Sequence, residues 1–107
     1  MTTSAEFQAL FQRGKRIDRS ALIVLWRETT EPTRAGFAVS RQLKNAVQRN
    51  RVRRRLREAY RVSRGAAPAR VAVVIVGRAA VLTESFGALA VQLRGALAAI
   101  PGARAER

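Results

Sequence analysis

The segment KNAVQRNRVRRRLREAYR, residues 44–61, constrains the fold of this chain more than any other part of the sequence. Its apolar residues recur at the spacing of one helical face. That narrow face comprises Val52, Leu56, Ala59 and Ser63, with Tyr60 at its edge. Gly65 and Pro68 follow the segment, so the predicted helix runs roughly from residue 45 to 64 and ends there. Such a helix packs its apolar face on another layer and leaves its arginines outside.

The outer side of this helix is basic over several turns. We expect an outward arc without an acidic neighbour, formed by Arg53, Arg57, Arg61, Asn50 and Arg54. The opposite flank is expected to hold Arg51, Arg55 and Glu58. Like charges on neighbouring turns destabilise a helix, and a solvated face usually mixes charges of both signs. The unmixed arc therefore indicates that the compensating negative charge comes from a partner.

The charge of the whole chain agrees with that interpretation. Its 21 Lys and Arg face 7 Asp and Glu, which gives a formal net charge of +14. Positive charges in this excess repel one another, which favours binding to a polyanionic partner. Most of the basic residues are Arg, whose planar fork of donors suits phosphate oxygens and base edges. A genome that prefers Arg codons would explain Arg over Lys but not the net charge, so the composition predicts a nucleic-acid partner.

The remaining pattern predicts an α+β fold. The further predicted elements are a helix at 3–13, strands at 21–27 and 36–40, a strand at 70–77 and a helix at 83–100. Strand 21–27 is apolar on both faces and is expected to pair with 36–40 as a hairpin. The unit from 36 to 77 is long enough for a parallel strand–helix–strand crossover. The last helix should bury one stripe, Phe86, Leu89, Ala90, Leu93, Ala96, Leu97 and Ile100. The order α-β-β-α-β-α predicts a single-domain α/β sandwich over residues 1–107, with one central sheet covered by helices, a core at about 5–100 and a frayed tail at 101–107.

Several classes of protein are not expected. The chain contains no Cys and no His, and no apolar run reaches the length of a membrane span. The start MTTSAEFQAL lacks the features of a signal peptide, so we expect a cytoplasmic protein that does not bind membranes. A nuclease acting alone needs a carboxylate cluster or a general base. The acids are scattered, and the closest pair, Glu28 and Glu31, falls on a turn, so we expect no catalytic residue and no metal site on this chain.

Three stretches carry a resemblance to a known family. The central one is VSRQLKNAVQRNRVRRRLREAYR, 39–61, which contains Arg49-Asn50-Arg51. It is flanked by FQALFQRGKR near the N-terminus and by RVAVVIVGR after the basic helix. Over about residues 5–100 the chain resembles the protein subunit of bacterial ribonuclease P. The long central motif is specific, whereas the flanking motifs alone would be weak.

The resemblance implies a function as well as a fold. In this family a catalytic RNA removes the 5′ leader of precursor tRNA, with Mg²⁺ held mainly by RNA. The protein binds that RNA through its basic helix and the preceding loop, and no obligate protein partner is expected. The implied RNA-binding residues are Arg41, Lys44, Arg49, Asn50, Arg51, Arg53, Arg54, Arg57 and Arg61. Phe7 and Phe11 would line a cleft for the single-stranded leader, between the sheet, the first helix and the basic helix. The family also implies a left-handed β-α-β crossover, against the usual right-handed rule.

Other interpretations stay open from the residues themselves. Phe7 and Phe11, at i and i+4, also fit an ordinary helix core. A general structured-RNA protein of the ribosomal type would show the same charge. A DNA-binding basic helix is less favoured, because it needs leucine heptads continuing from the helix, and Gly65 and Pro68 interrupt the chain there.

Overall fold

The structure, a computed structural model, describes residues 14–101 of the chain. Its strands are β1 (Lys15–Asp18), β2 (Leu22–Glu28), β3 (Arg34–Val39) and β4 (Val71–Gly77). Its α-helices are α1 (Ala46–Ser63) and α2 (Phe86–Ala98), and short 3-10 helices span Arg64–Ala66 and Ala79–Leu82. The α+β sandwich is confirmed. The predicted helix at 3–13 and the tail beyond residue 101 lie outside the described residues.

The sheet has the strand order β1-β2-β4-β3. Strand β3 pairs with β4 in parallel, which confirms the crossover through the basic helix. The predicted hairpin of 21–27 with 36–40 is wrong, because β4 lies between β2 and β3 and pairs antiparallel with β2. Central strands are the ones that are apolar on both faces, and β4 is buried at every residue. The handedness of the crossover stays a prediction.

The hairpin partner of β2 is instead β1, a strand that the sequence analysis did not predict. Lys15 pairs with Trp26, and Asp18 pairs with Ile23. The segment KRID is short and largely exposed, so it lacks the alternation of apolar and polar residues from which a half-buried strand is recognised. Charged residues on a short edge strand are a usual way of preventing edge-to-edge association.

Both faces of the sheet bury apolar side chains. On one face β4 contributes Val71, Val73 and Ile75 to the large core shared with the helices. On the other face a smaller cluster comprises Leu25, Ala72, Val74 and Val76. This arrangement explains why strand β2 is apolar at consecutive positions, because its alternate residues enter the two clusters.

Helix α1 packs as its periodicity predicts. The buried residues of α1 are the four expected ones, Val52, Leu56, Ala59 and Ser63. The side chain of Asn45 caps its first turn by accepting a hydrogen bond from the Gln48 N–H, at 3.1 Å. The Ser63 hydroxyl donates to the Ala90 carbonyl of α2, at 3.3 Å, and so joins the two helices where α1 ends.

Helix α2 begins three residues later than predicted. The segment before it forms the 3-10 helix Ala79–Leu82, and Ser85 caps α2 by accepting from the Ala88 N–H at 3.1 Å. Of the predicted stripe, Leu89, Leu93, Ala96, Leu97 and Ile100 are fully buried, and Ala90 is partly buried. Phe86 is 41% exposed, so its predicted place in the core is wrong: it is the first residue of α2 and does not share the buried face. No helix in the described part of the chain is long and apolar enough to cross a membrane.

Candidate nucleic-acid interface

The outward side of α1 brings most of the predicted arc together. Asn50, Arg53, Arg54 and Arg57 line one open depression of 460 Å³ on the helix surface. No carboxylate pairs with Arg51, Arg53, Arg54 or Arg57 within residues 14–101. Guanidinium groups at helical spacing that form no ion pair are the arrangement that phosphate oxygens neutralise. The depression therefore has the chemistry of a polyanion site.

The acidic residue of α1 does not lie where we predicted. Glu58 lines the same depression as the arginines, and its Oε1 accepts from Arg61 Nη2 at 2.9 Å. The expectation of an arc without an acidic neighbour is therefore wrong. At about 100° per residue, position 58 falls between positions 54 and 51, close to 61 at i+3. Arg61 is the arginine whose charge Glu58 offsets, although both side chains are more than half exposed.

Within the arc, two arginines have their side chains positioned by neighbours. Arg53 Nη1 donates to the Asn50 side-chain oxygen at 3.2 Å. The Arg57 guanidinium lies over the Phe37 ring, 5.8 Å from the ring centroid. Such contacts lower the entropy that each side chain loses when it binds an anion.

Phe37 and Tyr60 form an aromatic pair that the sequence analysis did not connect with the site. Their ring centroids are 5.8 Å apart with the planes at 74°, an edge-to-face contact between β3 and α1. Burial raises the pKa of the Tyr60 hydroxyl, which Arg64 opposes. The only signal in the sequence was an aromatic residue within a predicted strand, and pairing it with Tyr60 requires the tertiary contact.

Two arginines of α1 serve the fold directly. Arg49 Nη1 donates to the Leu43 carbonyl at 2.8 Å and to the Ser40 carbonyl at 3.4 Å. Arg55 Nε donates to the Val81 carbonyl at 2.9 Å, and its Nη2 donates to the Glu84 carbonyl at 2.6 Å. Arg55 thereby fixes the segment before α2 to α1. Arg49 can therefore bind RNA, as predicted, only through its other N–H groups.

The loop before α1 carries the other predicted basic residues. Arg41 and Lys44 are both exposed, whereas Leu43 between them is buried. The loop is held to the sheet by the Ser40 N–H, which donates to the Gly77 carbonyl at 2.9 Å, and to α1 by Arg49. The structure thus fixes both ends of the loop beside the first turn of the basic helix.

Two further predictions concern the leader cleft and the acidic residues. Phe7 and Phe11 lie outside the described residues, so the cleft they were predicted to line stays a prediction. In the described part of the chain no three His, Cys, Asp or Glu side chains group as metal ligands. Asp18 does occupy a charged cluster at the end of edge strand β1, where Arg16 and Arg78 each lie 3.0 Å from its carboxylate.

The fold and this site define a class: a small α+β protein in which a parallel β-α-β crossover presents a basic helix on its surface. Comparison with known proteins identifies the family within this class. The sequence model described as Ribonuclease P matches residues 1–100. The chain belongs to the ribonuclease P protein component family and is accordingly a subunit of that tRNA-processing endoribonuclease.

Individual relatives agree with this membership. The chain is 41% identical to the ribonuclease P protein component of Gluconacetobacter diazotrophicus over 96 residues, covering 87% of this chain and 83% of the relative. Identity to the corresponding protein of Acidothermus cellulolyticus is 37%, over 83% of this chain and 77% of that one. Among solved structures, the RNase P protein from Thermotoga maritima superimposes with a TM-score of 0.79 at 26% identity, covering 91% of this chain and 93% of that one. The Staphylococcus aureus RNase P protein gives a TM-score of 0.74 at 22% identity, over 91% and 90%, which shows the shared fold.

Proposed function

We propose that this chain is the RNA-binding subunit of ribonuclease P and promotes removal of the 5′ leader of precursor tRNA by a catalytic RNA. The observation that carries the proposal is the depression of Asn50, Arg53, Arg54 and Arg57, where the arginines have no carboxylate partner in the described residues. Each phosphate that binds there releases counterions from the RNA. The compensating charge that α1 lacks is thus supplied by the catalytic RNA.

The protein contributes binding and positioning, and the RNA contributes the chemistry. Arg41, Lys44 and Arg51 extend the basic surface from the arc to the loop before α1. Phe7 and Phe11 are proposed to stack on unpaired leader bases, a contact that contributes about 1–3 kcal/mol per base in single-strand binders. Holding both the catalytic RNA and the leader lowers the entropic cost of bringing the scissile bond into place.

Mg²⁺ is proposed to be held by the RNA. Hard divalent cations need several oxygen ligands, and RNA phosphates supply them. The arginines reduce the repulsion between the two RNA molecules, so the protein is expected to lower the Mg²⁺ concentration that cleavage requires.

Reconstitution tests the proposal directly. The chain is mixed with a bacterial ribonuclease P RNA and 5′-labelled precursor tRNA, at Mg²⁺ too low for the RNA to work well by itself. Protein alone and RNA alone are the controls. Correct 5′ cleavage only in the mixture is the expected result.

Two other outcomes would replace the proposal. Tight RNA binding without stimulation of cleavage would make the chain a general structured-RNA binder. Cleavage by the protein alone would place the catalyst on this chain and contradict the assignment of chemistry to RNA.

A further inference from the structure

A second basic surface lies where α1 ends against α2. An open depression of 580 Å³ is lined by Arg61, Val62, Ser63, Arg64, Gly65, Ala66 and Arg94. We call it the terminal depression. It contains three arginines and no acidic lining residue, and Arg64 and Arg94 belong to none of the sites described above.

Arg94 reaches this depression from a helix that is otherwise uncharged. In the sequence of α2, FGALAVQLRGALA, it is the single charged residue, and Leu93 beside it is fully buried. Arg94 Nη2 lies 3.4 Å from the Val62 carbonyl, and the Ser63–Ala90 hydrogen bond joins the helices next to it. The two helices therefore hold Arg64 and Arg94 on one surface by packing, independently of any ligand.

Contacts within the protein compensate only part of the positive charge in the terminal depression. The C-terminal end of a helix carries about half a negative charge, which favours a nearby cation. Glu58 offsets Arg61 through the ion pair at 2.9 Å. Arg64 and Arg94 have no carboxylate partner in the described residues, so an excess of positive charge remains after both compensations.

We propose that the terminal depression is a second phosphate-binding site, which contacts the sugar–phosphate backbone of a structured RNA. This inference rests on the proposed RNA-binding function. No aromatic side chain lines the depression, so it offers donors for phosphate but no platform for unpaired bases. Arg64 continues the row of Arg53, Arg57 and Arg61, and the row from 53 to 64 spans about 16 Å along the helix axis. The basic surface thereby passes from α1 onto α2.

The test measures the salt dependence of binding to ribonuclease P RNA for Arg64→Gln and Arg94→Gln. Each variant is expected to lower the slope of log affinity against log salt by about one, the value for one lost phosphate contact. Arg64→Lys, which keeps the charge, is expected to retain most of the slope. Lys15→Gln is the matched control, because it removes one charge on β1, at the sheet edge opposite β3.

A second measurement identifies which RNA occupies the depression. In the holoenzyme, the preference for precursor tRNA with a leader over tRNA without one is expected to be unchanged in both variants. A lost leader preference with an unchanged slope would overturn the choice of a structured RNA. Unchanged slopes in both variants, with a reduced slope in Arg53→Gln, would overturn the second site and leave the proposed function standing. Failure of the unmodified protein to bind RNA would overturn both.

Discussion

Gly77 at the end of β4 lies directly under Val52 of α1. A Cβ built on Gly77 would be 2.5 Å from Val52 Cγ1 and 2.9 Å from Leu56 Cδ1, closer than side-chain carbons approach one another. Val52 and Leu56 are both fully buried, so neither can move away freely. The absence of a side chain at residue 77 therefore sets how closely the basic helix approaches the sheet.

Replacing Gly77 by Ala should destabilise the protein by about 1–3 kcal/mol, the usual cost of overpacking a core. Urea unfolding followed by circular dichroism measures this. The control is the same substitution in a Val52→Ala background, where the methyl group that it meets is gone and the added cost should be smaller. An equal loss of stability in both backgrounds would show that contact with Val52 is not what excludes a side chain at residue 77.

Replacing Gly95 by Ala should have the opposite effect. Gly95 is exposed in α2, and a Cβ there would meet nothing within 4 Å. Because Ala loses less backbone entropy than Gly in a helix, the substitution is expected to stabilise the protein by about 0.5–1 kcal/mol. Thermal unfolding of the two glycine variants under the same conditions checks the difference in sign. A lower melting temperature for Gly95→Ala would contradict the exposed position.

Arg54 and Arg55 are neighbours in the chain with different predicted roles. Arg55→Ala removes two hydrogen bonds to backbone carbonyls, those of Val81 and Glu84. It should destabilise the protein by about 1.5–3 kcal/mol, since bonds to charged groups are the stronger ones. Arg54→Ala should leave stability nearly unchanged and weaken RNA binding. Unfolding and RNA titration of both variants test this, and a reversed pattern would exchange the two roles.

Arg53 and Arg57 are expected to contact phosphates. Replacing both by Ala should weaken RNA binding at low salt and lower the salt slope by about one unit per lost contact. Filter binding or fluorescence anisotropy at several salt concentrations measures the slope, with Lys15→Gln as the control for loss of charge alone. An unchanged slope in the double variant would mean that these side chains face away from the RNA.

Asp18 should contribute a pH dependence to stability. Its hydrogen bond to Arg16, together with Arg78, holds the pKa of the carboxyl below the ordinary value of 3.8. Because the folded-state pKa is depressed, this contribution is present above pH 3.8 and is lost as the pH falls through the folded-state value. Asp18→Asn should therefore lower stability at neutral pH and reduce the loss on acidification. Unfolding midpoints of the two proteins at neutral and acidic pH test this prediction. An equal loss of stability on acidification in both proteins would show that Asp18 does not cause the pH dependence.

The sequence by itself determined the elements whose pattern is local. The buried face of α1 follows from periodicity within one helix, and the continuous apolar run predicted β4 as a buried strand. Net charge and the clustering of arginine predicted a polyanion surface, since neither depends on how the elements pack. The resemblance of residues 39–61 also indicated the family that the comparisons then showed.

Only the tertiary structure decided which strands pair and which arginines remain available. Whether β2 pairs with β3 or β4 depends on a competition between segments distant in the chain, and the more deeply buried strand takes the centre. Contacts between distant segments also give Arg55 and Arg54 different roles. Arg55 donates to carbonyls 26 and 29 residues further along the chain, and no periodicity within the helix contains that information.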